Sequence, residues 1–472
     1  MNKKRELAKN TLIILAGKIC TQFISFFLLP LYTSVLLSSE FGIVDLITTY
    51  VGLLVPIITL QLESALFRYL VDVRNNNIEK KNIISNVFVC VLIQVIIFLV
   101  IYRSILLFID IKYEHYIYIM IIATIFSNIL LQVARGLGDN IGYSIGSVIA
   151  GIQTIILNLI LLVVFKLGPI GMFISTIFSN ISCGIFIFIR LKLKKYIDLK
   201  CVNRNLIIKL LKYSMPLIPN GIIWWIINVS DRTIITIFLG SSANGIYAIA
   251  NKFSGLFISI YNIFNISWTE SASLNINSED RDEFFSDTIS TMITLFSSVC
   301  LGIITVMPFI FPIMINNQYS LAYNYIPILM VATLLNVFVG LISAIYVAKK
   351  LTKEIARTSF WSGIINIVGN LVLIRYIDIY AAAISTLLSF LVMAIYRYID
   401  VQKYVKIKID KVMLVYTILV FIISVFLYYK KSTIFNIINL VIMLIYIYHY
   451  NKSIIISSIG IISKRINSKT IN

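Results

Sequence analysis

Several ionisable side chains lie inside long apolar runs, and they are the residues with which this chain could do chemistry. A charge inside a membrane span costs about 2.5–3.5 kcal/mol on the insertion scale, so such residues face a partner or a watery cavity. Lys18 lies in the first run, Asp45 and Glu63 lie in the second, and Arg68 lies by the second run's inner end. Asp231 and Arg232 lie in the seventh run, with Lys252 and Glu270 in the eighth. Asp231 and Lys252 sit at similar expected depth, so an ion pair is expected between them. Either it only locks two helices together, or Arg232 and Lys252 form a cationic cavity in which Asp231 holds one of them. Lys18 either snorkels to the rim or joins that cavity, and Asp45 is counted with it. Glu63, Arg68, Arg135 and Glu270 lie near the opposite boundary and read as inner-gate or rim anchors.

Two further features bear on a site. Trp224 and Trp225 fall in the middle of a span, where an indole either packs between helices or stacks on a ligand such as a sugar ring. Pro216, Pro219 and Gly221 open the seventh span; such breaks free backbone groups and allow bending, so they form a candidate hinge or a structural kink. No phosphate loop of the Walker type, Gly-rich dinucleotide turn or nucleophile motif is present. The five cysteines are scattered singly, and His115 and His449 sit at the rims of runs without a second ligand nearby. Neither a cofactor nor a metal is expected, and the chain reads as a non-enzyme.

The elements that must position these residues follow from composition. Of 472 residues, 59% are hydrophobic and 13% charged, with a mean hydropathy of +0.93. That excludes an ordinary water-soluble globular domain. About 20 apolar residues cross a bilayer, and in lipid each backbone group must pair within its own helix. Spans are expected near 11–33, 41–66, 83–108, 115–135, 141–165, 168–190, 213–238, 244–270, 286–312, 323–348, 355–375, 379–399, 411–429 and 432–450. This is an all-α integral membrane protein of about fourteen helices. The first span runs on past Pro30 without a small-residue cleavage site, so it is expected to remain as an uncleaved anchor.

The formal charge of +19 raises the question of nucleic acid, and its distribution answers it. Of the 40 Lys and Arg residues, 31 fall on the side of the termini, 6 on the other side, namely Arg103, Lys112, Lys166, Arg375, Lys430 and Lys431, and 3 within spans. Cytoplasmic loops are enriched in Lys and Arg. Both termini are therefore expected in the cytoplasm, with the positive charge facing anionic membrane lipid and not nucleic acid.

An internal repeat divides the chain. Leu36-Leu37-Ser38-Ser39-Glu40-Phe41-Gly42-Ile43 aligns with Leu239-Gly240-Ser241-Ser242-Ala243-Asn244-Gly245-Ile246. Ala123-Thr124 recurs as Ala332-Thr333, and Ile174-Ser175-Thr176 as Ile384-Ser385-Thr386. The expected organisation is an N-lobe of six helices (1–190), a basic cytoplasmic linker (191–212), a C-lobe of six helices (213–399), two extra helices (400–450) and a cytoplasmic tail (451–472). An even number of spans per half relates the two lobes by a pseudo-twofold axis along the membrane normal. The charges do not repeat: Lys18 aligns with Gly221, and Lys252 with Thr49.

The stretch Tyr213-Ser-Met-Pro-Leu-Ile-Pro-Asn220, with Trp224-Trp225, Asp231-Arg232, Phe238-Leu239-Gly240, Gly245 to Phe253 and Trp268-Thr-Glu-Ser-Ala272, resembles the central signature of Wzx-type O-antigen and capsule repeat-unit flippases. These are polysaccharide-biosynthesis members of the MOP (multidrug, oligosaccharidyl-lipid, polysaccharide) exporter superfamily. Leu29-Pro-Leu-Tyr-Thr33 through Glu40-Phe-Gly-Ile-Val-Asp45 to Arg68 is similar to the family's opening helices, and Arg135-Gly136 fits as well. The resemblance implies a MATE-like fold in the inner membrane. The implied cargo is an undecaprenyl-pyrophosphate-linked oligosaccharide, moved by alternating access, with Arg232 and Lys252 meeting pyrophosphate or acidic sugar. It further implies coupling to a proton or sodium gradient, polymerase or chain-length partners, and a groove for the lipid tail at the two extra helices. A multidrug or small-cation exporter of the same fold, and a membrane glycan polymerase or ligase, are the competing readings.

Overall fold

The computed structural model describes residues 26–469, with side chains throughout except at 199, 219–228, 352 and 453–469. Among the described residues there are sixteen α-helices and no strands. They are α1 (Leu29–Val35), α2 (Ser38–Ile58), α3 (Leu62–Asp72), α4 (Asn77–Leu106), α5 (Glu114–Leu137), α6 (Asn140–Asn158), α7 (Pro169–Arg190) and α8 (Arg204–Ser214). There follow α9 (Ile218–Leu239), α10 (Ser241–Asn275), α11 (Arg281–Met314), α12 (Ala322–Ala348), α13 (Thr352–Ile377), α14 (Tyr380–Val401), α15 (Lys411–Tyr429) and α16 (Thr433–Lys469). Eleven of these helical segments are long and apolar enough to cross a membrane. The other three expected spans are the one at 11–33, which begins outside the described residues, α9, and α10, whose 35 residues are interrupted by Asn244, Asn251, Lys252, Asn262 and Asn265.

The chain forms two compact units, Met1–Ala248 and Ile249–Asn472. In the first, Leu62, Ala65, Leu66 and Leu70 of α3 pack with Leu130, Val133 and Ala134 of α5 in one core. Gly136 lets these helices approach, since a Cβ there would lie 2.7 Å from the Cβ of Leu70. The carbonyls that end α5 are satisfied by Arg74, which donates to Gly136 O at 2.8 Å and Arg135 O at 3.0 Å. Mid-span residues of α4 such as Leu92, Ile96 and Val100, and of α15 such as Val415, Ile418 and Ile422, are exposed. Uncharged, outward-facing stripes of this kind suit contact with lipid.

The expected basic linker is folded and tied down. Ser85 Oγ donates to Tyr196 O and accepts from Asp198 N, both at 2.9 Å. Lys81 Nζ meets Asp198 Oδ2 at 2.7 Å. Asn86 Nδ2 donates to Cys201 O at 2.9 Å, and its Oδ1 accepts from Asn203 N at 2.7 Å. Asn203 then caps α8 by accepting from the N–H groups of Asn205 and Leu206.

The second expected span is a broken helix. Pro56 lies inside α2, and α2 gives way to α3 through Leu60 (φ 50°) and Gln61 (φ 54°). Left-handed backbone costs a non-glycine residue about 1–2 kcal/mol, so two in succession concentrate strain at this point.

Candidate functional site

The break between α2 and α3 positions two of the residues singled out above. Glu63, in the first turn of α3, accepts from Thr59 Oγ1 at 2.8 Å, and Gln61 Nε2 donates to Leu217 O at 3.2 Å. Arg68 is exposed and pairs one turn on with Asp72 at 2.5 Å. The guanidinium of Arg135 lies 4.5 Å from the ring centre of Phe67 and 5.8 Å from that of Tyr143. Nearby, Asp139 takes a two-pronged contact from Arg190, at 2.6 and 3.1 Å, and accepts from Gly142 N at 2.9 Å. The Arg190 hydrogen bond holds the Asp139 carboxyl below the usual carboxylate range.

The far ends of α2, α9 and α10 bring a second group together. Arg232 Nε meets Asp45 Oδ2 at 2.6 Å across α2 and α9. One residue earlier, Asp231 Oδ2 accepts from Tyr247 Oη at 2.8 Å, with both residues buried. One residue later, Thr233 Oγ1 and Tyr50 Oη share a hydrogen bond at 3.0 Å. Three consecutive residues of α9 thus engage α2 and α10. The contact continues into the two turns: Ser38 Oγ and Ser242 Oγ are 2.6 Å apart, and Asn244 Nδ2 donates to Gly42 O at 2.8 Å.

Lys252, half-buried on α10, and Glu270, exposed near its end, fall in the second unit. Lys18 and the side chains of Trp224, Trp225 and Pro219, together with Gly221, lie outside the described residues. At the expected hinge the backbone passes from α8 through a single 3-10 turn, Met215–Leu217, which contains Pro216, into α9.

The second unit holds a buried cation that sequence reasoning missed, and a cavity beside one of the two extra helices, where the resemblance implies a groove. Arg397, tallied with the loop charges, is buried in α14 at 2% exposure. It donates to Thr358 Oγ1 at 2.9 Å, Ser359 Oγ at 3.1 Å, Ile355 O at 3.2 Å and Ser343 Oγ. A cavity of roughly 1080 Å³ lies among α11, α12, α14 and α15, with Phe296, Phe338, Leu391, Tyr398 and Leu414 in its almost wholly apolar wall and Lys411 at one end. Among the described residues, the extra helix that lines it is α15.

No curated protein matches the chain. Solved structures similar to it include the lipid II flippase MurJ in an inward closed conformation, at 16% identity and a TM-score of 0.67, over 95% of this chain and 100% of that one. An inward-facing multidrug resistance MATE family transporter of the MOP superfamily is similar at 13% identity and a TM-score of 0.65, over 81% and 95%. A MOP superfamily transporter from Pyrococcus furiosus, described as having a binding pocket of reverse polarity, is similar at 14% identity and a TM-score of 0.55, over 84% and 95%. At these identities the likeness is one of fold: MATE-like, as expected. A family model described as polysaccharide biosynthesis protein matches residues 7–269. This multi-pass membrane protein, more than half of whose length that model matches, belongs to the polysaccharide biosynthesis protein family.

Proposed function

We propose that this chain is a flippase that moves undecaprenyl-pyrophosphate-linked oligosaccharide repeat units across the cytoplasmic (inner) membrane by alternating access, for O-antigen or other surface polysaccharide. The observation that carries this reading is the family match over residues 7–269 on a fold shared with a lipid II flippase. In the proposed orientation both termini are cytoplasmic, so the turns at 36–42 and 239–245 face outward. The contacts from Ser38–Ser242 to Asp45–Arg232 then make a closure at the outer end, as alternating access requires of a state that loads from inside. The apolar cavity beside α15 offers a place for a polyprenyl tail, with Lys411 at its cytoplasmic end. The chain acts without a cofactor and draws on a proton or sodium gradient. Its basic loops face anionic lipid, and its partners are the polymerase and chain-length proteins that consume the product.

The MATE-like fold keeps a second reading alive, an ion-coupled exporter of drugs or small cations. Against a polymerase or ligase stands the shortness of the outer connections. Among the described residues the longest, 107–113 and 315–321, have seven residues each, too few to carry a catalytic loop. Deleting the gene in its host separates the readings. The flippase predicts lipid-linked repeat units accumulating at the inner face with surface polysaccharide lost, whereas unchanged polysaccharide with new drug sensitivity selects the exporter.

A further inference from the structure

Gly42 and Gly245 meet backbone to backbone. A Cβ on Gly42 would lie 1.9 Å from Ser241 O and 2.7 Å from Gly245 N. A Cβ on Gly245 would lie 1.9 Å from Ser38 O and 3.1 Å from Gly42 N. In the internal repeat Gly42 aligns with Gly245 and Ser38 with Ser241, so this is one contact made twice about a local twofold. Each glycine presents only hydrogen to the carbonyl of the opposite turn, where nothing larger fits.

Such a joint is strong enough to close and weak enough to open. Each Cα–H···O contact is individually weak, and the Ser38–Ser242 and Asn244–Gly42 hydrogen bonds add to it. Its backbone contacts have no long side chains to order on closing or disentangle on opening, so little rotamer entropy is lost each time it re-forms. Glycine within a helix also has an entropic cost against alanine. That cost falls in α2 and α10 at the aligned positions where the turns touch.

The geometry points to Gly42 and Gly245 as gating residues: a reciprocal backbone clasp that exists only in the state closed at this end and must re-form once per transport cycle. The inference rests on the transporter reading above but does not depend on which cargo is carried. Any Cβ at either glycine holds the clasp apart. Gly52, in the same helix with no atom within 4 Å of a built Cβ, supplies the control.

The test places cysteines at Ser38 and Ser242 in the full-length protein in membranes, and follows disulfide formation under mild oxidant together with surface polysaccharide. Disulfide formation is expected to be fast in this background and in Gly52→Ala. It should slow at least roughly tenfold in Gly42→Ala and in Gly245→Ala, the change given by a penalty of about 1.4 kcal/mol on the closed state. Polysaccharide should be lost in those two variants only. Unchanged cross-linking in Gly42→Ala and Gly245→Ala overturns the clasp, as does normal polysaccharide in those variants in a host where deleting the gene abolishes it. Should either alanine variant fail to reach the membrane, the double-cysteine protein decides alone. Oxidation that stops export, with recovery on reduction, supports the clasp; export indifferent to oxidation overturns it. A clasp that behaves as expected in a protein shown not to carry lipid-linked sugar leaves the gating inference standing and removes the cargo.

Discussion

The carboxylate of Asp45 and the guanidinium of Arg232 meet at 2.6 Å with 8% and 17% of their side chains exposed, joining α2 to α9 beneath the Gly42–Gly245 contact. Removing one partner of a buried pair strips the other of its nearest counter-charge, a loss that costs up to about 3–5 kcal/mol. Asp45→Asn and Arg232→Ala should each lower the thermal midpoint of detergent-purified protein and reduce export. The exchange Asp45→Arg with Arg232→Asp separates two roles for Arg232. If the pair acts only as a closure, the double variant recovers both stability and export. Recovered stability without export would assign Arg232 to the cargo.

Arg397 poses the opposite case, a buried cation whose partners are hydroxyls and a carbonyl. Lysine keeps the charge but cannot reach these acceptors with one fork, whereas methionine removes the charge, and Ser and Thr can turn to carbonyls of their own helices. Arg397→Lys should therefore lower the thermal midpoint more than Arg397→Met. The reverse order, measured side by side in one detergent, contradicts this account of the cluster.

Asp139 gives a pH dependence with a definite sign. Its carboxyl is held below the usual range by Arg190, so the stabilisation is complete above the unfolded-state value of about 3.9 and is lost as pH falls through the lower folded-state value. Asp139→Asn should cost about 0.5–1 kcal/mol at pH 7, as a partly exposed pair does. The gap from the native protein should narrow in melting curves taken below about pH 4. Asp139→Ala should cost about 1 kcal/mol more, because the cap on Gly142 N goes as well.

The strained break before α3 predicts a preference at Gln61. Gln61→Gly relieves left-handed backbone worth about 1–2 kcal/mol while losing a 3.2 Å hydrogen bond worth about 1 kcal/mol, so its midpoint should stay close to native. Gln61→Val adds a β-branched side chain at φ 54° and should melt several degrees lower.

Most of the fold was legible because apolar runs of about 20 residues have one stable form in lipid, and eleven of the expected spans appear as helices long and apolar enough to cross. The site was less so. The repeat pointed to Ser38–Gly42 and Ser241–Gly245 as equivalent, but equivalence at a separation of 203 residues says nothing about contact. The Asp45–Arg232 pair was hidden because depth along a span does not reveal which helix faces which. Arg397 read as a loop charge because it lies near the end of its run, and the hydroxyls that hold it come from two other helices, α12 and α13. Nothing in Leu60-Gln61 signals left-handed backbone, and Pro56, the residue nearby that disfavours a continuous helix, lies inside α2 and not at the break.

The central claim is tested most directly by purified protein in liposomes carrying a lipid-linked oligosaccharide labelled on its sugar, with an ion gradient imposed and an added glycosidase acting only on sugar at the outer surface. The account predicts that label from the inner leaflet becomes cleavable over time, faster with the gradient, and that it does not in Gly42→Ala. Cleavage confined to the half of the label already outside, by protein that still exports a cationic dye, would contradict it.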